Sequence, residues 1–141
     1  IKGKRLRLLY SDVLGVERID HGLSVVDDPV IKGEARDRVI PFTVCQSSNE
    51  LIAKKTTIQT HPLRQMLDQG LVVSVYTDDP GFTGVDLGME YALLLENGWT
   101  QRELERLAKD AVTSSFLDPA AKFDLHREIE QHFSVKESKS D

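Results

Sequence analysis

Apolar residues follow two alternating rhythms along this chain. In KRLRLLYSDVLG (4–15), Leu6, Leu9, Tyr10, Val13 and Leu14 fall near helical spacing, with Gly15 as a stop. VERID (16–20) is a short strand candidate. DDPVIKGEARDR (27–38) opens on Asp28 as an N-cap with Pro29 in the first helical position, and Gly33 weakens that helix from within. VIPFTVC (39–45) is rich in β-formers, with Pro41 near its start, where a missing N–H is tolerated. Residues 47–60 keep no period and read as a loop. HPLRQMLDQG (61–70) is a short helix closed by Gly70. LVVSVYT (71–77) is the clearest strand, apolar enough to be buried on both faces.

Beyond residue 84 only helices are expected. VDLGMEYALLLENG (85–98) runs from Asp86 as a cap to Gly98, and TQRELERLAKDAVTSSF (100–116) starts with a Thr100/Glu103 capping box. DPAAKFDLHREIEQHF (118–133) again has an Asp followed by Pro119. Residues 134–141 are polar and read as a flexible tail, which leaves residues 1–133 as the folded unit. Strand and helix alternate three times before the helices take over. That order predicts an α/β fold with a parallel sheet.

Composition narrows the function classes. A chain of 141 residues with 40% hydrophobic and 29% charged positions suits one globular domain. A net charge of −5 offers no basic footprint for nucleic acid. Cys45 has no second cysteine to pair with, which fits a reducing, cytoplasmic setting. The apolar runs fall far short of the ~20 residues of a membrane span. The opening IKGKRLRLLY has no initiator Met, apolar h-region or cleavage site, and reads as the start of a fragment or a processed chain.

The chemistry lies just after the strands. The last one runs into two adjacent carboxylates, VVSVYTDDPGF. Asp78 beside Asp79 is explained by a solvated turn, by a helix N-cap, by chance, or by one carboxylate on a metal and the other on a substrate. The first strand is followed by His21-Gly22 and the second by Cys45-Gln46-Ser47-Ser48-Asn49. In parallel α/β folds ligands gather at the C-terminal strand ends, so all three groups face one rim. Imidazole and carboxylate suit Zn²⁺, which would neutralise one Asp and lower the pKa of a bound water toward ~7. Such a set serves metal-assisted hydrolysis or deamination.

GVERIDHG (15–22), DDPV (27–30), TVCQSSN (43–49), HPLRQMLDQGLVVSVYTDDP (61–80) and SSFLD (114–118) together resemble, in order and spacing, the C-terminal half of the adenosine/adenine deaminase family. The resemblance implies the C-terminal part of a TIM-like (β/α)8 barrel with extra C-terminal helices. It implies one Zn²⁺ per complete active site and hydrolytic conversion of a 6-aminopurine to the 6-oxo form: adenosine to inosine or, as the alternative, adenine to hypoxanthine. It casts Asp78 as the zinc ligand, Asp79 as the purine-binding residue and His21 as the catalytic group that holds or polarises the attacking hydroxide. The family usually has Pro after the Cys, where this chain has Gln46. Its His-x-His and His-Ala-Gly-Glu motifs are absent here, and counted back from GVERIDHG the family's proton-shuttling Glu would stand immediately before Ile1. The expectation is therefore a chain that is inactive alone and completes its site by pairing with the missing N-terminal half, or that self-associates.

Plainer readings stand beside these. A histidine after a strand is more often structural, Ser47-Ser48-Asn49 reads as turn chemistry, and Cys45 as a small buried hydrophobe. His61 reads as a helix-start residue, His126 and His132 as parts of a solvated face, Trp99 and Tyr91 as packing between the closing helices. Two rival classes are a non-catalytic interaction module and a phospho-receiver domain. A receiver places its acid pair after the first strand, whereas about half of this chain precedes Asp78.

Overall fold

A computed structural model describes residues 15–53 and 56–137; the helix expected over 4–15 lies almost wholly outside them. Three strands, β1 (Ile19–Asp20), β2 (Phe42–Val44) and β3 (Val73–Val75), form a parallel sheet in the order β1-β2-β3. Ile19 pairs with Phe42, and Phe42 with Val73. The strands are shorter than the apolar runs that announce them, but the ladder reaches past their ends: His21 N–H donates to Thr43 O at 2.7 Å and Tyr76 N–H to Val44 O at 2.9 Å. These bonds hold the residues that follow each strand in line with its neighbour.

Five longer helices surround the sheet: α1 (Pro29–Asp37), α2 (Leu63–Asp68), α3 (Leu87–Glu96), α4 (Gln101–Ser114) and α5 (Pro119–Glu137). The caps fall where the sequence puts them. Asp28 accepts from the N–H groups of Val30 and Ile31, Asp86 from Met89, and Thr100 and Glu103 form the reciprocal box. The last helix reaches Glu137, four residues into the polar stretch read as tail. The start of the loop expected over 47–60 instead coils into a helical turn, Gln46–Ser48, that widens into a π-type turn over Asn49–Ala53. Wide turns of this kind gather at functional sites, and this one begins at Asn49, directly after Ser48.

The core forms where the sheet meets α1, α2 and α4. Phe42, Val44 and Val73 are wholly buried with Leu63 and Met66 of α2 and Leu107 of α4. All three residues of β2 and of β3 are buried, as a sheet covered on both faces requires.

Gly22 ties this core to the rim. It has φ +60, and a Cβ built there would stand 2.6 and 2.8 Å from two ring carbons of the buried Phe42. Gly22→Ala combines left-handed strain with an overpacked ring and should cost about 3 kcal/mol. A lowered urea midpoint with an unchanged m-value is the expected result; an unmoved midpoint would show that the ring has room to shift.

Candidate metal and substrate site at the strand ends

The left-handed backbone recurs at both outer corners of the rim. His21 after β1 has φ 59 and Asp78 after β3 has φ 61, and neither is glycine. Non-glycine residues in this region are uncommon and concentrate at functional sites. The two turns bring His21 Nε2 to 3.9 Å from Asp78 Oδ2. Cys45, at the end of the intervening strand, completes a cluster whose ligand atoms all lie within 4.8 Å of one another. His21 and Asp78 remain 42% and 36% exposed, so both are open to an incoming group.

The turn after β2 supports this pair from below. Ser48 Oγ donates to Asp78 Oδ2 at 2.5 Å. The Asn49 carboxamide lies between two rings, 3.1 Å from His21 Nδ1 and 3.0 Å from His61 Nε2. Ser48, Asn49 and His61 are all buried. Burial pushes the His61 pKa down to about 4, so that ring is neutral near pH 7. A cavity of about 190 Å³ opens above the cluster, lined by His21, Ser48, Asn49, Ile52 and Asp78.

Cys45 is buried, as a small hydrophobe should be. Its thiol is pushed up to about 12, first by burial and then by the Asp78 charge, so it is a neutral thiol rather than a preformed thiolate ligand. Asp79 is not among the residues lining the cavity. Its Oδ1 accepts from Phe82 N–H at 3.2 Å and caps the short turn Pro80–Thr83, so the N-cap explanation of the double Asp holds for this residue. His126 and His132 lie on α5 and do not line the cavity. Trp99 is buried, with the Arg64 guanidinium stacked 4.4 Å over its ring.

The sequence brings Ser48 and Asn49 to the rim but reads them as turn chemistry, reads His61 as a helix-start residue, and gives no reading of Glu90. Glu90 is wholly buried; one oxygen accepts from Ser47 N–H at 3.2 Å, and the other has no partner among the described residues. The available signal was an acid inside an apolar run, GMEYALLL. Burial raises its pKa, more than the Ser47 hydrogen bonds lower it. With a folded pKa above the unfolded one, the native state binds the extra proton, so Glu90 makes stability fall as pH rises through the interval between the two values. Glu90→Gln keeps the acceptor for Ser47 and removes the ionisation. It should raise Tm by a few degrees at pH 7 and flatten the slope of stability with pH; a wild-type slope in the variant would show that Glu90 is not its source.

A larger cavity, about 570 Å³, is lined by charged groups such as Arg106 and Lys109 and by Asp110, which accepts from Val73 N–H at the start of β3. It lies away from the C-terminal strand ends. The rim combines backbone strain, converging donors and a buried polar support, and is the stronger site.

The donor set suits zinc in kind. A carboxylate fixed by Ser48 and an adjacent imidazole are ordinary partners of that ion. It falls short in number: Asp78 and His21 are two groups where a catalytic zinc takes three or more protein ligands, and Cys45, buried with its pKa raised, keeps its proton unless an ion displaces it.

The sequence model of the family "Adenosine deaminase" matches residues 11–132. An adenine deaminase of Streptomyces coelicolor is 43% identical over 109 residues, 76% of this chain and 32% of that protein. An aminodeoxyfutalosine deaminase of Streptomyces avermitilis is 38% identical over 122 residues, 84% of this chain and 34% of that protein. Among solved structures, a Burkholderia ambifaria amidohydrolase with bound Zn superposes with a TM-score of 0.83 at 25% identity, covering 96% of this chain and 38% of that one. This chain spans about a third of the length of the curated relatives it matches. No helix among the described residues is long and apolar enough to cross a membrane. With the family motifs in order and the strand ends carrying His21 and Asp78 to one rim, the chain belongs to the adenosine deaminase family.

Proposed function

We propose that this chain supplies the closing strands of a (β/α)8 barrel in a zinc-dependent hydrolase that deaminates a 6-aminopurine. The observation that carries the reading is the approach of His21 Nε2 to within 3.9 Å of Asp78 Oδ2 across the end of β2. Asp78 would hold Zn²⁺ together with ligands from outside the described residues. When bound, the ion lowers the pKa of its water toward ~7 and so supplies a nucleophile at neutral pH.

The chain's own groups divide the remaining work. Ser48 donates to Asp78 Oδ2 and orients the carboxylate. His21 faces the cavity and hydrogen-bonds the attacking water on its way to C6 of the purine, where a C–O bond forms, the C–N bond breaks, and ammonia leaves. Asp79 contacts the purine ring, a role that leaves Oδ1 on its cap. The cavity formed by this chain is smaller than the ~300 Å³ of an ordinary ligand pocket, consistent with a purine held partly by residues elsewhere in the barrel.

Adenosine and adenine are both candidate substrates, and the adenine deaminase at 43% identity favours the base. Ammonia release by the zinc-loaded full-length protein from adenosine, adenine and aminodeoxyfutalosine tests the reading and ranks the substrates. Release from one or more of them is expected; none from any would remove the deaminase assignment.

A further inference from the structure

The contacts behind His21 fix more than its position. His61 is neutral near pH 7, so it carries one ring proton and has one acceptor nitrogen. The Leu63 amide N–H points at His61 Nδ1 at 3.2 Å. A backbone N–H can only donate, so Nδ1 is the acceptor and the His61 proton sits on Nε2. That nitrogen lies 3.0 Å from one end of the Asn49 carboxamide, and an N–H there requires the carbonyl oxygen. The two ends of a carboxamide have the same shape, and hydrogen bonding alone decides which is which. The structure places the carboxamide the other way round, with Oδ1 3.1 Å from His21 Nδ1 and Nδ2 3.0 Å from His61 Nε2. That would make neutral His61 accept at both ring nitrogens. Turning the amide over removes the conflict and presents its NH₂ to His21 Nδ1. His21 Nδ1 must then accept.

We infer that Asn49 and His61 are positioning residues that make His21 Nδ1 a hydrogen-bond acceptor and so keep the ring proton on Nε2, the nitrogen 3.9 Å from Asp78 Oδ2. The chain of donors runs from the Leu63 amide through His61 and Asn49 to His21, and each link leaves one choice for the next. Its origin is a backbone N–H at the start of α2, which cannot rotate away. The consequence rests on the deaminase reading. His21 meets the attacking water as a hydrogen-bond donor at Nε2, and that nitrogen has no lone pair with which to take the water's proton. The proton therefore leaves to another group.

The test is a long-range ¹H–¹⁵N spectrum of the full-length protein with ¹⁵N-histidine, recorded zinc-free and zinc-loaded. A protonated ring nitrogen resonates well apart from an unprotonated one. The expected pattern is Nε2 protonated and Nδ1 unprotonated for both His21 and His61. A wild-type His21 with its proton on Nδ1 would overturn the inference whatever the activity. Asn49→Asp keeps the size of the side chain and replaces the donor by an acceptor, so it should place a proton on His21 Nδ1. It should also lower kcat by roughly 10- to 100-fold with little change in KM. A role in packing alone would leave the His21 pattern and kcat as they were, and that result also sinks the idea. If the protein deaminates no purine, the functional reading falls while the tautomer assignment is still decided by the spectrum.

Discussion

Replacing Asp78 should abolish both zinc retention and deamination in the full-length protein. Asp78 meets the rim at φ 61, where Asn and Asp are tolerated several-fold better than other L-residues. Asp78→Asn is therefore the cleaner variant. It keeps the left-handed turn and an acceptor for Ser48 while removing the charge. Asp78→Ala adds roughly 1–2 kcal/mol of backbone strain, because alanine has no side chain to hydrogen-bond locally. Both variants should dialyse to a metal content near zero and release ammonia at background rates, with Asp78→Asn melting within a few degrees of wild type. Ser48→Ala removes only the support for the carboxylate, and metal affinity should fall by about 10- to 100-fold. Full zinc occupancy and full activity in Asp78→Asn would mean that the ion, if bound, is held elsewhere.

That prediction was within reach of the sequence, and the reason is physical. Asp78 is displayed by local features: an apolar strand, an acid where the strand ends, and Pro-Gly beyond it. His21 is legible in the same way, from a short strand running into His-Gly. The helix caps were equally local, since Asp28, Asp86 and the Thr100/Glu103 pair act on N–H groups two or three residues away. The extra helical turns at 46–53 were not legible. They have no amphipathic period, and their polar residues are buried only because the turn folds back between β1, β3 and α2. Asn49 contacts a ring 28 residues upstream and another 12 residues downstream. His61 looks like a helix-start residue and is one, with Leu63 N–H on its Nδ1. Its second contact, to Asn49, depends on how α2 docks, which a pattern of single residues does not encode. Asp79 shows the converse limit. The capping and the purine-binding explanations of the double Asp predict the same residue at the same position, and the fold displays the cap directly.

Substitutions that leave the fold intact separate those two explanations. Asn is as good an N-cap as Asp, so Asp79→Asn preserves the hydrogen bond from Phe82 N–H and should leave Tm within a degree or two. It removes the negative charge that a purine ring N–H would meet. If Asp79 binds the substrate, kcat/KM should drop by about 10²- to 10³-fold with folding unchanged. If it only caps, activity will follow stability and stay near wild type. His21 is the partner experiment. It too lies in the left-handed region, so His21→Asn keeps a residue suited to φ 59 while taking the imidazole away from the cavity. Its half-exposed ring contributes little to the core, and Tm should shift by only a few degrees. A side chain that donates to the attacking water acts mainly in the transition state. The loss should therefore fall on kcat, again by about 10²- to 10³-fold, rather than on KM. Zinc content should hold, which distinguishes this variant from both Asp78 substitutions. Wild-type kcat in His21→Asn, with zinc retained and the fold intact, would reassign His21 to shaping the rim and leave the transition-state contact to a residue beyond this chain.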